Sequence, residues 1–480
     1  METSREFFSL KSAAVSFAAM SVVAISALVV PQPSDAFGLA HDPGVRGGAP
    51  GAGGAIPGLT ENQKAFFDQG LDDFGEAEGI GDGLGPRFNL DGCGGCHSYP
   101  AVGGSSPAVN PQVAVATAFG ARNIVPSFIR ADGPVREARF VTKPDGSPDG
   151  GVHALFVISG RVDSTGNASG CNIEQEDFET QVNHRNIVFR IPTPLFGLGL
   201  IESIDDQTIV DNINANASVK LSFGIRGRVN HVNHVSGDGN NNGNDGTIAR
   251  TGWKAQNKSG LLFAGEAYNV EMGITNELFH TEREENPNCQ FAMVPNDLQN
   301  TDAINAASSH DAALAATTAI SNFANFQRFL APPTPVASFP GATADSIVRG
   351  RQRFEDVGCA LCHTPTLPTS PFTAVAALRG KSANLYSDLA IHGMGPGLAD
   401  GVNQGEARGD EFRTAPLWGL GQRIFFLHDG RTSDLKQAIL EHRSRGNSQY
   451  RSSEANRVVD NFNSLRADDQ QDLLNFLRSL

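Results

Sequence analysis

Apolar positions fall into a few runs of clear period, separated by long stretches rich in glycine and proline. Phe67, Leu71 and Phe74 recur at helical spacing, and Thr60 with Gln63 makes a capping-box pattern just ahead of them, so a helix is predicted from about residue 60. Phe140-Val141 and Val152 to Ile158, split by Lys143-Pro144-Asp145-Gly146, predict a β-hairpin, and Asn186 to Ile191 a further short strand. Asp302 to Leu330 is alanine-rich and predicts a helix, stopped by Pro332, Pro333 and Pro335. Ile347, Gly350, Arg351 and Phe354 share a helical face, and Leu473, Phe476, Leu477 and Leu480 mark a closing helix. Asp434 with Gln437 starts one more helix, on which Leu435, Ala438, Ile439 and His442 lie on one side. The pattern describes a mainly α protein with a β-containing insertion in its first half.

The opening residues carry a different pattern. Arg5 and Lys11 precede an apolar run from Ala13 to Val30, Pro31 and Pro33 break it, and Ser34-Asp35-Ala36 offers a small-residue cleavage site. A signal peptide over 1–36, cleaved after Ala36, is expected, with export to the periplasm; an uncleaved membrane anchor is the alternative. Residues 37–59 read as a Gly/Pro-rich linker, with nothing to pack between 42 and 58. A first domain is expected over 60–335 and a second over 336–480.

With 480 residues, 40% of them hydrophobic and 19% charged, the chain has ample material for a globular core. Its formal net charge of −15 argues against nucleic acid or anionic lipid as partner; it is compatible with a basic electron-donor protein, and solubility alone is the preferred reading of the acidic surface.

The six cysteines sharpen the chemistry. Cys93-Gly94-Gly95-Cys96-His97 and Cys359-Ala360-Leu361-Cys362-His363 each read C-x-x-C-H, the attachment pattern of c-type haem. Two thiols add across the two vinyl groups on one edge of the porphyrin, and the adjacent His reaches under the ring as proximal iron ligand. A zinc site or redox dithiol is the competing reading, weakened by the second copy and the export signal. Two covalently bound haem c groups are therefore expected, held at Cys93, Cys96, Cys359 and Cys362, with His97 and His363 on the irons. Cys171 and Cys289 remain, an even pair in an oxidising compartment, and a disulfide between them is expected. Asp238 to Gly243 matches the first half of an EF-hand loop, but its twelfth position is Ala249, so a solvated Asn/Gly loop is preferred and calcium is the alternative. His231 and His234, just before it, are weak metal-ligand candidates.

Phe425-Phe426-Leu427-His428-Asp429-Gly430, followed by Asp434-Leu435, resembles the C-terminal signature of bacterial dihaem cytochrome c peroxidases. Phe412-Arg413-Thr414-Ala415-Pro416-Leu417-Trp418-Gly419-Leu420-Gly421 looks like the dihaem oxidoreductase family of peroxidase type. Ser98 to Gly104, Arg190 to Gly199, Glu271 to Thr275 and His392 to Gly395 are similar to the same family, so the resemblance covers most of 60–480. It implies two cytochrome c-like haem domains and peroxide reduction at the first haem. Electrons would come from a small redox donor protein, and a homodimer is compatible with the resemblance. The family's distal ligand lies fourteen positions after the His of that signature, which here is His442, with Met394 as rival. Glu271 takes the place of the family's acid/base residue, and Trp253, eighteen positions earlier, that of the residue between the haems, where Trp418 competes. The displaceable second His found soon after the first haem motif in peroxidases is missing here: none occurs between His97 and His153. A plain electron carrier and an oxidase of a thiol or protein substrate remain the other readings.

Overall fold

The computed structural model describes residues 39–232, 247–283, 286–299, 305, 307, 314 and 316–480. The expected signal peptide, His234 and the EF-hand-like loop lie outside them. Helix α1 (Glu61–Gly75) starts as its sequence dictates: the Thr60 hydroxyl accepts from the Gln63 backbone N–H at 3.3 Å, and the Gln63 side chain accepts from the Thr60 N–H at 3.0 Å. Its Phe67 and Phe74 are buried against Phe326 of α3 (Ala319–Phe329), at ring separations of 5.5 and 4.9 Å. Behind α3 stands α2 (Gly260–Met272), whose Tyr268 ring meets Phe323 at 5.1 Å. The helix expected from Asp302 is described as a helix only from Ala319, where the Thr318 side chain caps it by accepting from the Ser321 N–H.

The hairpin forms, but its second strand divides. Strand β2 (Glu137–Phe140) pairs antiparallel with β3 (Val152–His153) on one side and β5 (Ile187–Arg190) on the other. Residues 156–157 then leave as β4 (Phe156–Val157) to pair with β1 (Arg87–Phe88), just ahead of the first haem motif. The switch is fixed at Leu155, whose backbone N–H donates to the Asn89 side chain at 2.8 Å. In the three-stranded sheet Glu137 lies opposite Arg190, and Arg139 shares its face two residues on, so the insertion delivers three charged side chains to one place.

In the second half α4 (Ala344–Val357) crosses the closing helix α6 (Ala467–Ser479) at very short range. A Cβ on Gly350 would lie 1.9 Å from the Asp472 carbonyl oxygen, so only glycine fits there. Between them in sequence run β6 (Ile391–Gly393), paired antiparallel with β7 (Glu411–Arg413), and the short helix α5 (Leu435–Glu441).

The glycine-rich stretch 42–58 differs from the expectation that it has nothing to pack. Asp42 receives both Nε and Nη2 of the fully buried Arg478, at 2.7 and 2.6 Å, and the Leu435 N–H at 2.7 Å. The Arg46 N–H donates to Gly421 O at 2.8 Å, and Ala331 N–H to Gly54 O at 2.9 Å. Extended glycine-rich backbone offers free peptide groups, and a guanidinium buried at the end of α6 requires a carboxylate; together they turn the stretch into a strap.

Residues 40–480 form one compact unit. One apolar cluster surrounds the first haem motif and another the second, but Leu367, Leu378, Leu385 and Trp418 belong to the first and Ile225 to the second. Neither cluster stays on one side of residue 335. Among the described residues no helix is long and apolar enough to cross a membrane.

The expected Cys171–Cys289 bridge is present, across a separation of 118 residues. Replacing both cysteines by alanine should reduce the unfolding free energy by roughly 2–5 kcal/mol, read from denaturant midpoints of the exported protein.

Candidate functional site

Each C-x-x-C-H forms a single tight turn beside a cavity. At the first, the His97 N–H closes the turn on Cys93 O at 3.1 Å, and the Phe74 ring meets the imidazole edge-on at 6.0 Å. Its Nδ1 lies 3.0 Å from Gly104 O. A carbonyl oxygen only accepts, so Nδ1 carries the proton and Nε2 keeps its lone pair. Burial brings the His97 pKa down to about 4, so the ring is neutral at ordinary pH. The second site repeats the arrangement: His363 Nδ1 lies 2.9 Å from Tyr386 O, and burial brings its pKa down to about 4. Burial raises the Cys93 and Cys359 thiols to about 12 each, and the four motif cysteines make no disulfide.

The two cavities enclose about 1130 and 1340 Å³ of atom-free space, counting the part open to solvent. A neutral imidazole and two thiols on the wall of a large apolar cavity are the donor set that covalent haem requires, and both sites have it. The residues present fit the group.

His442, at the C-terminal end of α5, lines the same cavity as His363. Its Nδ1 lies 2.7 Å from Ala438 O, which again frees Nε2, and burial lowers its pKa. Met394 lines this cavity too, packed with Ile191, Trp253 and Phe412. Two further histidines on its wall were not candidates in the sequence. His392 is held on both nitrogens, by Asp388 at 3.0 Å and Glu454 at 2.8 Å, and has no lone pair to offer. His428 stacks on Phe412 at 4.3 Å. His231 sits away from both cavities, 3.4 Å from Glu406.

The first cavity has a different character. His97 is its only histidine among the described residues, and its polar wall sets three carboxyls, Glu137, Glu266 and Glu271, among the guanidinium groups of Arg136, Arg139 and Arg190. Glu271, in the last turn of α2, accepts from the Asn89 side-chain amide at 2.6 Å and is hydrogen-bonded to Glu137. Burial and the negative charge of Glu137 raise the Glu271 pKa well above the usual carboxylate range. Burial would raise Glu137 as well, but the adjacent Arg139 guanidinium overrides it and holds Glu137 below its ordinary value. Two carboxyls pushed apart in this way hold one proton between them in the interval between the lowered and the raised pKa. Asn89 and Glu137 were not candidates in the sequence.

Trp253 lines both cavities, its indole N–H donating to Ile191 O at 2.8 Å. Trp418 lines neither; it faces a smaller third cavity and closes over Gly197. Of the two tryptophans, only Trp253 stands between the sites.

The family described as "Di-haem oxidoreductase, putative peroxidase" matches residues 135–480, so the first haem motif lies ahead of the matched region. No curated protein matches the chain. Among solved structures it is similar over part of its length to the diheme peroxidase BthA from Burkholderia thailandensis, at 14% identity over 48% of this chain and 65% of that one, with a TM-score of 0.28. A MauG-like protein associated with microbial copper homeostasis shares 18% identity over 38% and 59% of the two chains, with a TM-score of 0.23. Kuenenia stuttgartiensis hydrazine synthase, in a structure pressurized with xenon, shares 19% over 34% and 55%, with a TM-score of 0.22. The chain spans less than two thirds of each of these chains. With the family match covering most of the described residues, this chain belongs to the di-haem oxidoreductases.

Proposed function

We propose that the chain is an exported, periplasmic dihaem c-type peroxidase. One haem is attached through Cys93 and Cys96 with His97 on its iron, the other through Cys359 and Cys362 with His363 and His442. The observation that carries the reading is the contrast between the cavities. The second offers two neutral imidazoles with free Nε2 atoms, as a closed electron-entry site needs. The first offers one imidazole and a proton-sharing carboxyl pair, as a site of peroxide chemistry needs.

When bound, the haems supply the one-electron steps and, at the first site, an iron face for peroxide. The chain relays protons. Reducing hydrogen peroxide to two waters takes two electrons from the donor and two protons from solvent. Glu271 holds a proton to give to the departing oxygen, while the charge on Glu137 lets the pair take up the proton of the other oxygen. Asn89 fixes the Glu271 carboxyl, and Arg139 keeps Glu137 ionised. Trp253, on the wall of both cavities, is the bridge for electrons.

The test is peroxide consumption with a reduced cytochrome or cupredoxin as donor. Two donor molecules oxidised per peroxide are expected, and a protein that accepts electrons from the donor without consuming peroxide contradicts the reading.

A further inference from the structure

Buried cations are ordinarily met by an anion, because an unpaired charge away from water is costly. Several buried arginines here obey the rule: Arg190 pairs with Asp400 at 2.7 Å, Arg161 with Asp163 at 2.9 Å, and Arg478 with Asp42 at 2.6 Å; Arg46, whose buried Nε has no partner, is an exception. Arg413 and Arg423, part-buried on the wall of a cavity, also lack an anionic partner among the described residues. Arg413, at the end of β7, is fixed by its Nε, which donates to Gly252 O at 2.8 Å, yet its buried Nη1 has no hydrogen-bond partner. The side chain of Arg423, just after the turn at Leu420–Gln422, has no ion-pair or hydrogen-bond partner among the described residues. Burial lowers both pKa values to about 10, and in Arg413 the positive charge of Arg423 adds to it, so both remain cationic at neutral pH.

Their place in the fold says what they face. Both line the second cavity, and both line the smaller third cavity of about 530 Å³, which shares Thr193 and Leu195 with the first. Trp253 lines all three. Two guanidinium groups without a carboxylate partner among the described residues thus share their cavities with Trp253, on the edge of a cavity whose walls are otherwise mostly apolar.

We propose that Arg413 and Arg423 form a carboxylate-binding site whose occupant is the propionate edge of the haem attached through Cys359 and Cys362. The proposal rests on the reading of the second cavity as a haem site. A haem carries two carboxylates, no acidic side chain among the described residues pairs with these arginines, and planar guanidinium matches carboxylate geometry. A free small carboxylate offers the same chemistry. Neutralised propionates lend less stabilisation to ferric iron, so the pair raises the reduction potential of the second haem.

Spectroscopic redox titration of the holoprotein tests this. Arg413→Leu and Arg423→Leu should each raise the ferric-to-ferrous ratio of the second haem about tenfold at a fixed ambient potential, a fall of about 59 mV for one electron. Arg413→Lys and Arg423→Lys, which keep the charge, should stay within about threefold of wild type, and added acetate should move nothing. Arg413→Gln and Arg423→Gln remove the charge while keeping a polar side chain, and replace any leucine variant that fails to fold. Neutral variants that leave the second potential within about threefold of wild type overturn the proposal. A wild-type potential that shifts with acetate assigns the arginines to a free carboxylate and overturns it as well. Wild-type protein with no haem on Cys359 and Cys362 would instead sink the reading of the cavity itself, a separate result visible on a haem-stained denaturing gel.

Discussion

Protein carrying Cys93→Ser and Cys96→Ser together should hold one covalent haem per chain instead of two and should lose peroxide turnover entirely. Serine has no sulfur to form the thioether, and the imidazole of His97 alone gives a porphyrin no covalent tether. The loss should be local. The two sites have separate tight turns, separate imidazole anchors at Gly104 and Tyr386, and different apolar clusters around them, so the haem at His363 should still load and still accept electrons from the donor. Pyridine haemochrome per chain should halve while donor oxidation in a single turnover persists. The mirror variant, Cys359→Ser with Cys362→Ser, should also lose one haem, but should no longer accept electrons from the donor. Identical behaviour of the two variants would contradict the division of labour between the sites.

The second large effect concerns the carboxyl pair. Glu271→Gln should cut peroxide turnover by about 10²–10⁴-fold, the usual worth of a positioned acid/base group, with both haems attached and donor binding intact. Glutamine keeps the hydrogen bond to Asn89 but cannot release or take a proton. Glu137→Gln should also be slow, because it removes the negative charge that lets the pair act as base. The pH dependence follows from the directions of the two shifts. Glu271 is raised and Glu137 lowered, so the pair holds one proton in the interval between the two. Below the lowered pKa both carboxyls are protonated and the base is lost; above the raised one both are ionised and the acid is lost. Steady-state turnover should therefore show a broad plateau with a fall on each side, and Glu271→Gln should lose the alkaline limb. Turnover unchanged in Glu271→Gln would remove this residue from the mechanism.

Much of this site can be read from local sequence. The C-x-x-C-H turns, the capping box at Thr60 and the helix that presents His442 are set by residues within a few positions of one another, where spacing alone fixes geometry. The Cys171–Cys289 bridge follows from parity once four cysteines are assigned to haem. What remained hidden depends on long-range pairing. Asn89 meets Glu271 across 182 positions, and Glu137 arrives on a strand whose partner begins at Ile187. Neither residue type is unusual in its local window. The strap at 42–58 leaves no local signal for the same reason: glycine and proline give no period, and Asp42 finds its partner Arg478 across 436 positions. The hairpin strand over 152–158 looked continuous because its apolar run is continuous, whereas a hydrogen bond from Leu155 to Asn89 redirects it.

The central claim is that one haem is closed by the chain and the other is left open for peroxide. Low-temperature EPR of the purified protein, fully oxidised and again after reduction by one electron, tests it most directly. The account predicts a ferric high-spin signal in at least one of the two states, from an iron at His97 with a free or weakly held sixth position, alongside a low-spin signal from the site of His363 and His442. Two low-spin signals that persist in both states would mean two closed haems, and would make this chain a carrier of electrons with no catalytic role for Glu271.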